Sequence, residues 1–256
     1  MANKTVWMIS GNKGGVGKSL FCLALASAFE MRNEKYSIFD GDGRTGDVYA
    51  AFLRKHPARW GDFRELRPES STCFHDATYE AILYQLLIGS DNVIINTPDG
   101  ADSMLMKWFD VTLKHTEFNN CQFKFIYLMS ERPDGLSILP ELAKRFQFLY
   151  PVRNLHFGNE NLFSVFNSQY FSEFNDVIDF QVLRGHEVRM LFDLATYPAE
   201  ALTLQDSTTG AYTLPALTRK RLHQWQTWFN ELIDNIIENN DTSNLKNLVW
   251  KNGDVE

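Results

Sequence analysis

The stretch Gly11-Asn12-Lys13-Gly14-Gly15-Val16-Gly17-Lys18-Ser19 lies directly behind the apolar run Thr5-Val-Trp-Met-Ile-Ser10 and ahead of the helix-compatible Leu20-Phe-Cys-Leu-Ala-Leu-Ala. Glycine is costly to order, and two lysines this close repel each other unless an anion lies between them. The spacing fits G-x-x-x-x-G-K-[ST] in the strand, loop and helix context that this pattern requires. Glycines let successive backbone N–H groups turn inward around phosphate oxygens, and the N-terminus of the following helix adds partial positive charge. On this reading Gly11, Asn12, Lys13, Gly14, Gly15, Val16, Gly17, Lys18, Ser19 and Leu20 form a polyphosphate cradle. Lys18 reaches the terminal phosphates and Ser19 offers its hydroxyl to Mg²⁺. A glycine-rich turn that binds nothing is the alternative.

Outward from the loop, apolar runs alternate with longer helix-compatible segments, the pattern of a parallel sheet with helices on its faces. Strands are expected at Thr5–Ser10, Tyr36–Asp40, Asn92–Asn96, Phe123–Met129, Asn154–Gly158 and Asp179–Leu183. Helices are expected at Lys18–Arg32, Gly46–Arg54, Asp76–Ile88, Ala101–Thr116, Gly135–Phe148 and Leu217–Asn239. The Arg-, Pro- and Glu-rich stretch Lys55–Ser71 reads as a surface crossing. The expected fold is α/β: a single-domain P-loop NTPase with a mostly parallel, doubly wound sheet flanked by helices. Residues 1–239 form the nucleotide-binding domain and 240–256 a polar C-terminal tail.

The chain has 256 residues, 44% hydrophobic and 22% charged, ordinary for a soluble globular protein. No apolar run approaches the roughly 20 residues of a membrane-spanning helix. The start, MANKTVWMIS, lacks the basic and long apolar regions of a secretory signal, so a cytoplasmic protein is expected. Cys22, Cys73 and Cys121 are scattered and never in a CxxC spacing, which argues against a zinc site or a disulfide framework. A net charge of −7 argues against a protein that coats nucleic acid, though not against a local basic patch.

Lys13-Gly-Gly-Val-Gly-Lys-Ser19, with its early second lysine, resembles the deviant Walker A motif of the ParA/MinD family of P-loop ATPases. The resemblance implies ATP and Mg²⁺ as cofactors and a nucleotide-dependent homodimer. It also implies a catalytic role for Lys13, which would reach across the dimer to the partner's nucleotide and offset charge on the transferring phosphoryl group. Ser37-Ile-Phe-Asp40-Gly-Asp42 matches the family's Asp-x-Asp. By that resemblance Asp40 supports Mg²⁺ through water and Asp42 orients the attacking water; a turn-forming Asp-Gly-Asp-Gly segment is the alternative. Arg44 and Thr45 depart from the residues many ParA proteins carry in this switch loop, and Asp47 reads as a helix N-terminal residue.

Asn92-Val-Ile-Ile-Asn96-Thr97-Pro98-Asp99-Gly100 looks like the family's Walker B strand and second switch, with Asn96 where Asp is usual. Asn96 can accept a hydrogen bond from a metal-bound water but carries no charge, so weaker or partner-stimulated hydrolysis is expected, and Asp99 is a nearby substitute. The resemblance places a purine-reading Asn at the end of a late strand; Asn159 is the candidate, with Asn161 or a main-chain contact as alternatives. His156 reads as a strand residue.

The helix at Leu217–Asn239 carries one broad apolar stripe, Leu222, Trp225, Trp228, Phe229, Leu232, Ile233, Ile236 and Ile237, at three- and four-residue intervals. It is expected to pack on the sheet rather than on a membrane. Arg219-Lys220-Arg221 reads as a solvated helix start, with non-specific DNA contact as the functional alternative. Phe157–Tyr170 reads as core filling or a surface for a partner protein, which the resemblance also implies. The functional expectation is an ATP-binding, ATP-hydrolysing dimeric switch in plasmid or mobile-element DNA segregation, positioning or conjugative transfer. The alternatives are a hydrolysis-poor, nucleotide-clamped scaffold and a metabolic P-loop enzyme.

Overall fold

The computed structural model describes residues 4–11, 13–53, 58–61, 83, 86–112, 120–132, 136–163, 177–181 and 183–238. Among them run β1 (Lys4–Gly11), α1 (Lys18–Met31), β2 (Tyr36–Asp40), α2 (Asp47–Phe52), β3 (Ala58–Trp60), β4 (Asn92–Asn96), α3 (Asp102–Thr112), β5 (Cys121–Met129), α4 (Leu139–Arg145), β6 (Phe148–Asn154), β7 (Ile178–Phe180), α5 (Gly185–Asp193), α6 (Pro198–Thr203) and α7 (Ala216–Glu238). The strands form one seven-stranded sheet in the order β3-β2-β4-β1-β5-β6-β7, and every pairing is parallel. The α/β class and the parallel, helix-flanked sheet expected from sequence are therefore present.

Period-two alternation sends neighbouring strand residues to opposite faces. Trp7 and Ile9 of β1 join Ile94, Ile126 and Leu128 in a core closed by α1, α5, α6 and α7. Val6 and Met8 join Val93, Ile95, Phe125 and Tyr127 in a second core closed by α3 and α4. Strand β1 runs between β4 and β5, where the chain order reverses, so the carboxyl ends of β1, β2, β4 and β6 border the crevice in which ligands of such sheets bind.

Helix α7 packs on α1 and α6, and its stripe is core: Leu222, Trp225, Trp228, Phe229, Leu232, Ile233 and Ile236 are all buried, with only Ile237 exposed. Two polar ties fix its far end. Arg32 pairs with Asp234 at 2.5 Å, and the buried Lys124 donates from Nζ to the Ile236 carbonyl at 2.8 Å. No described helix is long and apolar enough to cross a membrane.

Several boundaries differ from expectation. The strand expected at Asn154–Gly158 is β6, which ends at Asn154; Leu155–Phe157 is a 3-10 turn, so His156 is not a strand residue. Pro151 disguised this strand. Because β7 pairs only with Val152–Asn154, Pro151 sits where one side of β6 is open and a missing N–H is tolerated. The last strand is Ile178–Phe180 and stops short of Leu183. The helix expected at Gly135–Phe148 is a 3-10 turn at Leu136–Ile138 followed by α4. Within the expected surface crossing, Ala58–Trp60 is a strand held by pairing to Ile38–Asp40. Most of the helix expected at Asp76–Ile88, most of the rest of Lys55–Ser71 and the tail 240–256 lie outside the described residues, as does much of Phe157–Tyr170.

Candidate functional site

The glycine loop turns from β1 into α1 by backbone that only glycine tolerates at two points. A Cβ on Gly11 would lie 2.6 Å from the Leu128 carbonyl oxygen of β5. Gly17, the residue before α1, has φ 99°, and a Cβ there would meet Asn154 Nδ2 at 2.6 Å. No side chain caps α1 and its first turn holds no acid, so its N-terminal N–H groups face the cavity with their partial positive charge undiminished. Lys18 is buried, and its Nζ donates to the Lys13 carbonyl oxygen at 3.1 Å, laying the ammonium along the loop.

The loop opens onto a cavity of about 440 Å³, within the size range of small-molecule sites. Gly14, Gly15, Gly17, Lys18, Ser19 and Leu20 line one end, with Asp42, Arg44, Thr45, Asp47 and Asp99 around it. The other end is Asn154, His156, Gln181 and the apolar Phe180, Leu183, Val188 and Phe192. Two successive strand ends thus bring much of the expected phosphate cradle together with Asp42, whereas Asp40 does not line the cavity.

Asp40, at the end of β2, is fully buried. Its Oδ1 accepts from Asn96 Nδ2 at 2.9 Å and from the Asp42 N–H at 3.3 Å, and its Oδ2 accepts from the Tyr49 N–H at 2.9 Å. Burial pushes its carboxyl above the usual range, and these donors oppose that rise. Asn96 gives its N–H to Asp40, while its Oδ1 is a buried acceptor with no partner among the described residues. Asp42 lines the cavity, yet its carboxylate is turned onto its own loop: Oδ1 accepts from the Arg44 N–H at 3.1 Å and Oδ2 from Thr45 Oγ1 at 3.3 Å. Burial and the neighbouring Asp42 raise the Asp47 carboxyl.

Among the described residues no group of three or more His, Cys, Asp or Glu side chains could hold a metal ion by itself. The donor set instead suits Mg²⁺, which keeps several waters and takes the rest of its shell from phosphate and a few protein oxygens. Ser19 and Asp42 line the cavity; Asp40 and Asn96 are buried and do not line it, and Asn96 Oδ1 is an acceptor that no donor satisfies among the described residues.

The remaining expected residues fall elsewhere. Lys13 is half-buried and does not line the cavity; Gly11 and Val16 are buried structural parts of the loop; Asn12 lies outside the described residues. Asn159 is exposed, its side chain accepting from the Asn161 N–H at 3.0 Å, and it does not line the cavity because its expected strand ends earlier. The strand-end asparagine is Asn154, whose Nδ2 donates to the Val16 carbonyl at 2.8 Å and whose Oδ1 accepts from the His156 N–H at 2.9 Å, bracing the glycine loop. Only its position after a disguised strand could have revealed it. Gln181 and the apolar wall belong to no motif. The basic cluster is divided: Arg221 pairs with the buried Glu187, Arg219 lies 3.5 Å over the Tyr212 ring, and only Lys220 is exposed.

No protein-family model matches the chain. It is 24% identical over 169 residues to Protein MobD of Acidithiobacillus ferrooxidans, spanning 64% of this chain and 69% of that protein. Among solved structures, a Borrelia burgdorferi plasmid-partition candidate bound to AMPPNP superposes with a TM-score of 0.48 at 14% identity, covering 88% of this chain and 97% of that one. A nucleotide-binding protein of Archaeoglobus fulgidus in complex with ADP gives 0.47 at 12% identity, covering 75% and 86%. The glycine loop between the central strand and α1 of an all-parallel sheet is the strand, loop and helix arrangement of a P-loop fold.

Proposed function

We propose that the chain is an ATP-binding, ATP-hydrolysing switch of the ParA/MinD type that closes as a homodimer on Mg²⁺ and ATP. One observation carries this reading: an uncapped helix N-terminus, a glycine loop with Lys18 lying along it, and the Asp42–Asp47 loop all border one cavity. Lys18 exchanges the Lys13 carbonyl for terminal phosphate oxygens. Ser19 offers its hydroxyl, and Asp40 and Asn96 hold the water shell beneath. Mg²⁺, when bound, neutralises charge on the phosphate oxygens. Asp42 releases Arg44 and Thr45 and orients the attacking water. Lys13, outside the lining of its own cavity, reaches the nucleotide of a second copy. The base lies against Phe180, Leu183, Val188 and Phe192, with Gln181 as the amide beside it. The setting that the family resemblance supports is plasmid or mobile-element DNA segregation, positioning or conjugative transfer, in the cytoplasm and with a partner protein.

A second reading, a nucleotide-clamped scaffold that barely hydrolyses, is favoured by Asn96 in the usual Asp position and by an Asp42 carboxylate engaged with its own loop. Phosphate release at saturating ATP and Mg²⁺, with sedimentation in AMPPNP, separates the two. The switch predicts turnover and a dimer, both lost in Lys13→Ala. Dimerisation without phosphate release establishes the clamp. A chain that stays monomeric with every nucleotide sinks both.

A further inference from the structure

Strand β3 has three residues, of which only Ala58 is buried. Packing alone gives such a strand little hold, yet it makes four separate contacts with the segment from Asp40 to Tyr49. Its register sets Trp60 opposite Asp40, and the Gly61 N–H donates to the Asp40 carbonyl at 2.9 Å. The Trp60 indole Nε1 donates to the Asp42 carbonyl at 3.0 Å. The same ring stacks on Tyr49, centroids 6.4 Å apart and planes 23° from parallel. Gly46 faces it so closely that a Cβ would stand 3.1 Å from Nε1. Trp60 is 43% exposed, whereas Trp7, Trp108, Trp225 and Trp228 are buried core. Its indole edge is thus turned onto a loop.

The Asp42 carbonyl accepts from the Gly46 N–H at 3.2 Å as well as from Trp60, and the Asp42 N–H donates to Asp40 Oδ1 at 3.3 Å. Tyr49, the residue on which Trp60 stacks, donates its N–H to Asp40. One side chain therefore touches the loop near its start, at Gly46 and just beyond its end.

We propose that Trp60 is a positioning residue: its indole N–H and ring fix the Asp42–Asp47 loop and, through the Asp42 backbone, set where the Asp42 carboxylate points. The inference rests on the reading of Asp42 as the water-orienting group, but the hold on the loop is measurable without turnover. Trp60→Phe keeps a ring over Tyr49 and removes the donor.

In the full chain, Trp60→Phe is expected to lower kcat about tenfold, as loss of one positioning hydrogen bond does, with KM and ADP affinity within about threefold of the parent. Amide exchange across residues 41–49 is expected to quicken while exchange in α1 is unchanged. Unchanged exchange across 41–49 in Trp60→Phe overturns the proposal whatever the turnover. So does a fall in kcat matched by an equal loss of ADP affinity, which marks general damage. A parent chain that binds ADP but releases no phosphate sinks the hydrolysis reading alone, and the exchange measurement still decides the hold of Trp60.

Discussion

Replacing Asn96 by Asp places a second carboxylate within hydrogen-bond distance of Asp40. Asn96 Nδ2 now stands 2.9 Å from Asp40 Oδ1, and both residues are buried. Two full charges about 3 Å apart interact by about 5 kcal/mol at an effective dielectric of about 20. That is an upper limit, because the pair relieves itself by holding one proton between two oxygens, leaving a net cost of about 2–4 kcal/mol at pH 8. At about 2–4 °C per kcal/mol for a chain of this size, the nucleotide-free melting temperature should fall by on the order of 10 °C. The pH dependence has a definite sign. The folded pair binds a proton more tightly than its unfolded carboxyls do, so the penalty is absent below about pH 4 and grows as pH rises. The melting gap between parent and Asn96→Asp should therefore narrow from pH 8 to pH 5. Mg²⁺ with nucleotide should stabilise the variant more than the parent, since a dication offsets the added charge. Calorimetric or circular-dichroism melts with and without Mg²⁺-ADP read all of this. Equal melting of the two proteins at pH 8 without Mg²⁺ would refute the Asp40–Asn96 contact and the charge argument with it.

Gly17→Ala should destabilise the chain by about 2–3 kcal/mol, because φ 99° disfavours a side chain and the new Cβ would strike Asn154; urea unfolding reads this, and a cost under 0.5 kcal/mol would contradict the loop geometry. Burial lowers the Lys124 pKa to about 8 from 10.5 unfolded, so the unfolded chain binds more protons between these values and this group's contribution to stability rises with pH there. The stability difference between Lys124→Met and the parent should accordingly move in the parent's favour from pH 7 to pH 9.5, and a difference that ignores pH would refute it. Burial also raises the pKa values of Cys22, Tyr36 and Tyr197, so both proteins should lose stability as pH climbs through the unfolded values near 9–10.

What was legible in the sequence was what local chemistry dictates. Tyr36–Asp40 and Asn92–Asn96 fell where the apolar runs put them, since strands buried on both faces read as continuous apolar segments. The glycine loop was legible because close approach and positive φ admit little else at Gly11 and Gly17. Strand β3 was not, because Ala58-Arg59-Trp60 has no periodicity and is strand only through its pairing with β2. Pro151 hid β6, and with it the brace that Asn154 gives the glycine loop. Gln181, Leu183 and Val188 meet the glycine loop only through the fold, and no spacing announces them. Arg219-Lys220-Arg221 looked like one patch, but a helix turns successive side chains about 100° apart, sending Arg221 to Glu187 and Arg219 to Tyr212.

The central claim is a phosphate cup formed by the glycine loop and the head of α1. Calorimetric titration of the parent and Lys18→Ala with Mg²⁺-ADP tests it most directly. The account predicts binding by the parent and a loss of about 30-fold or more in the variant, since Lys18 supplies a buried charge to the phosphates. A parent that takes up no nucleotide at millimolar concentration, or a variant that binds as tightly as the parent, would contradict it.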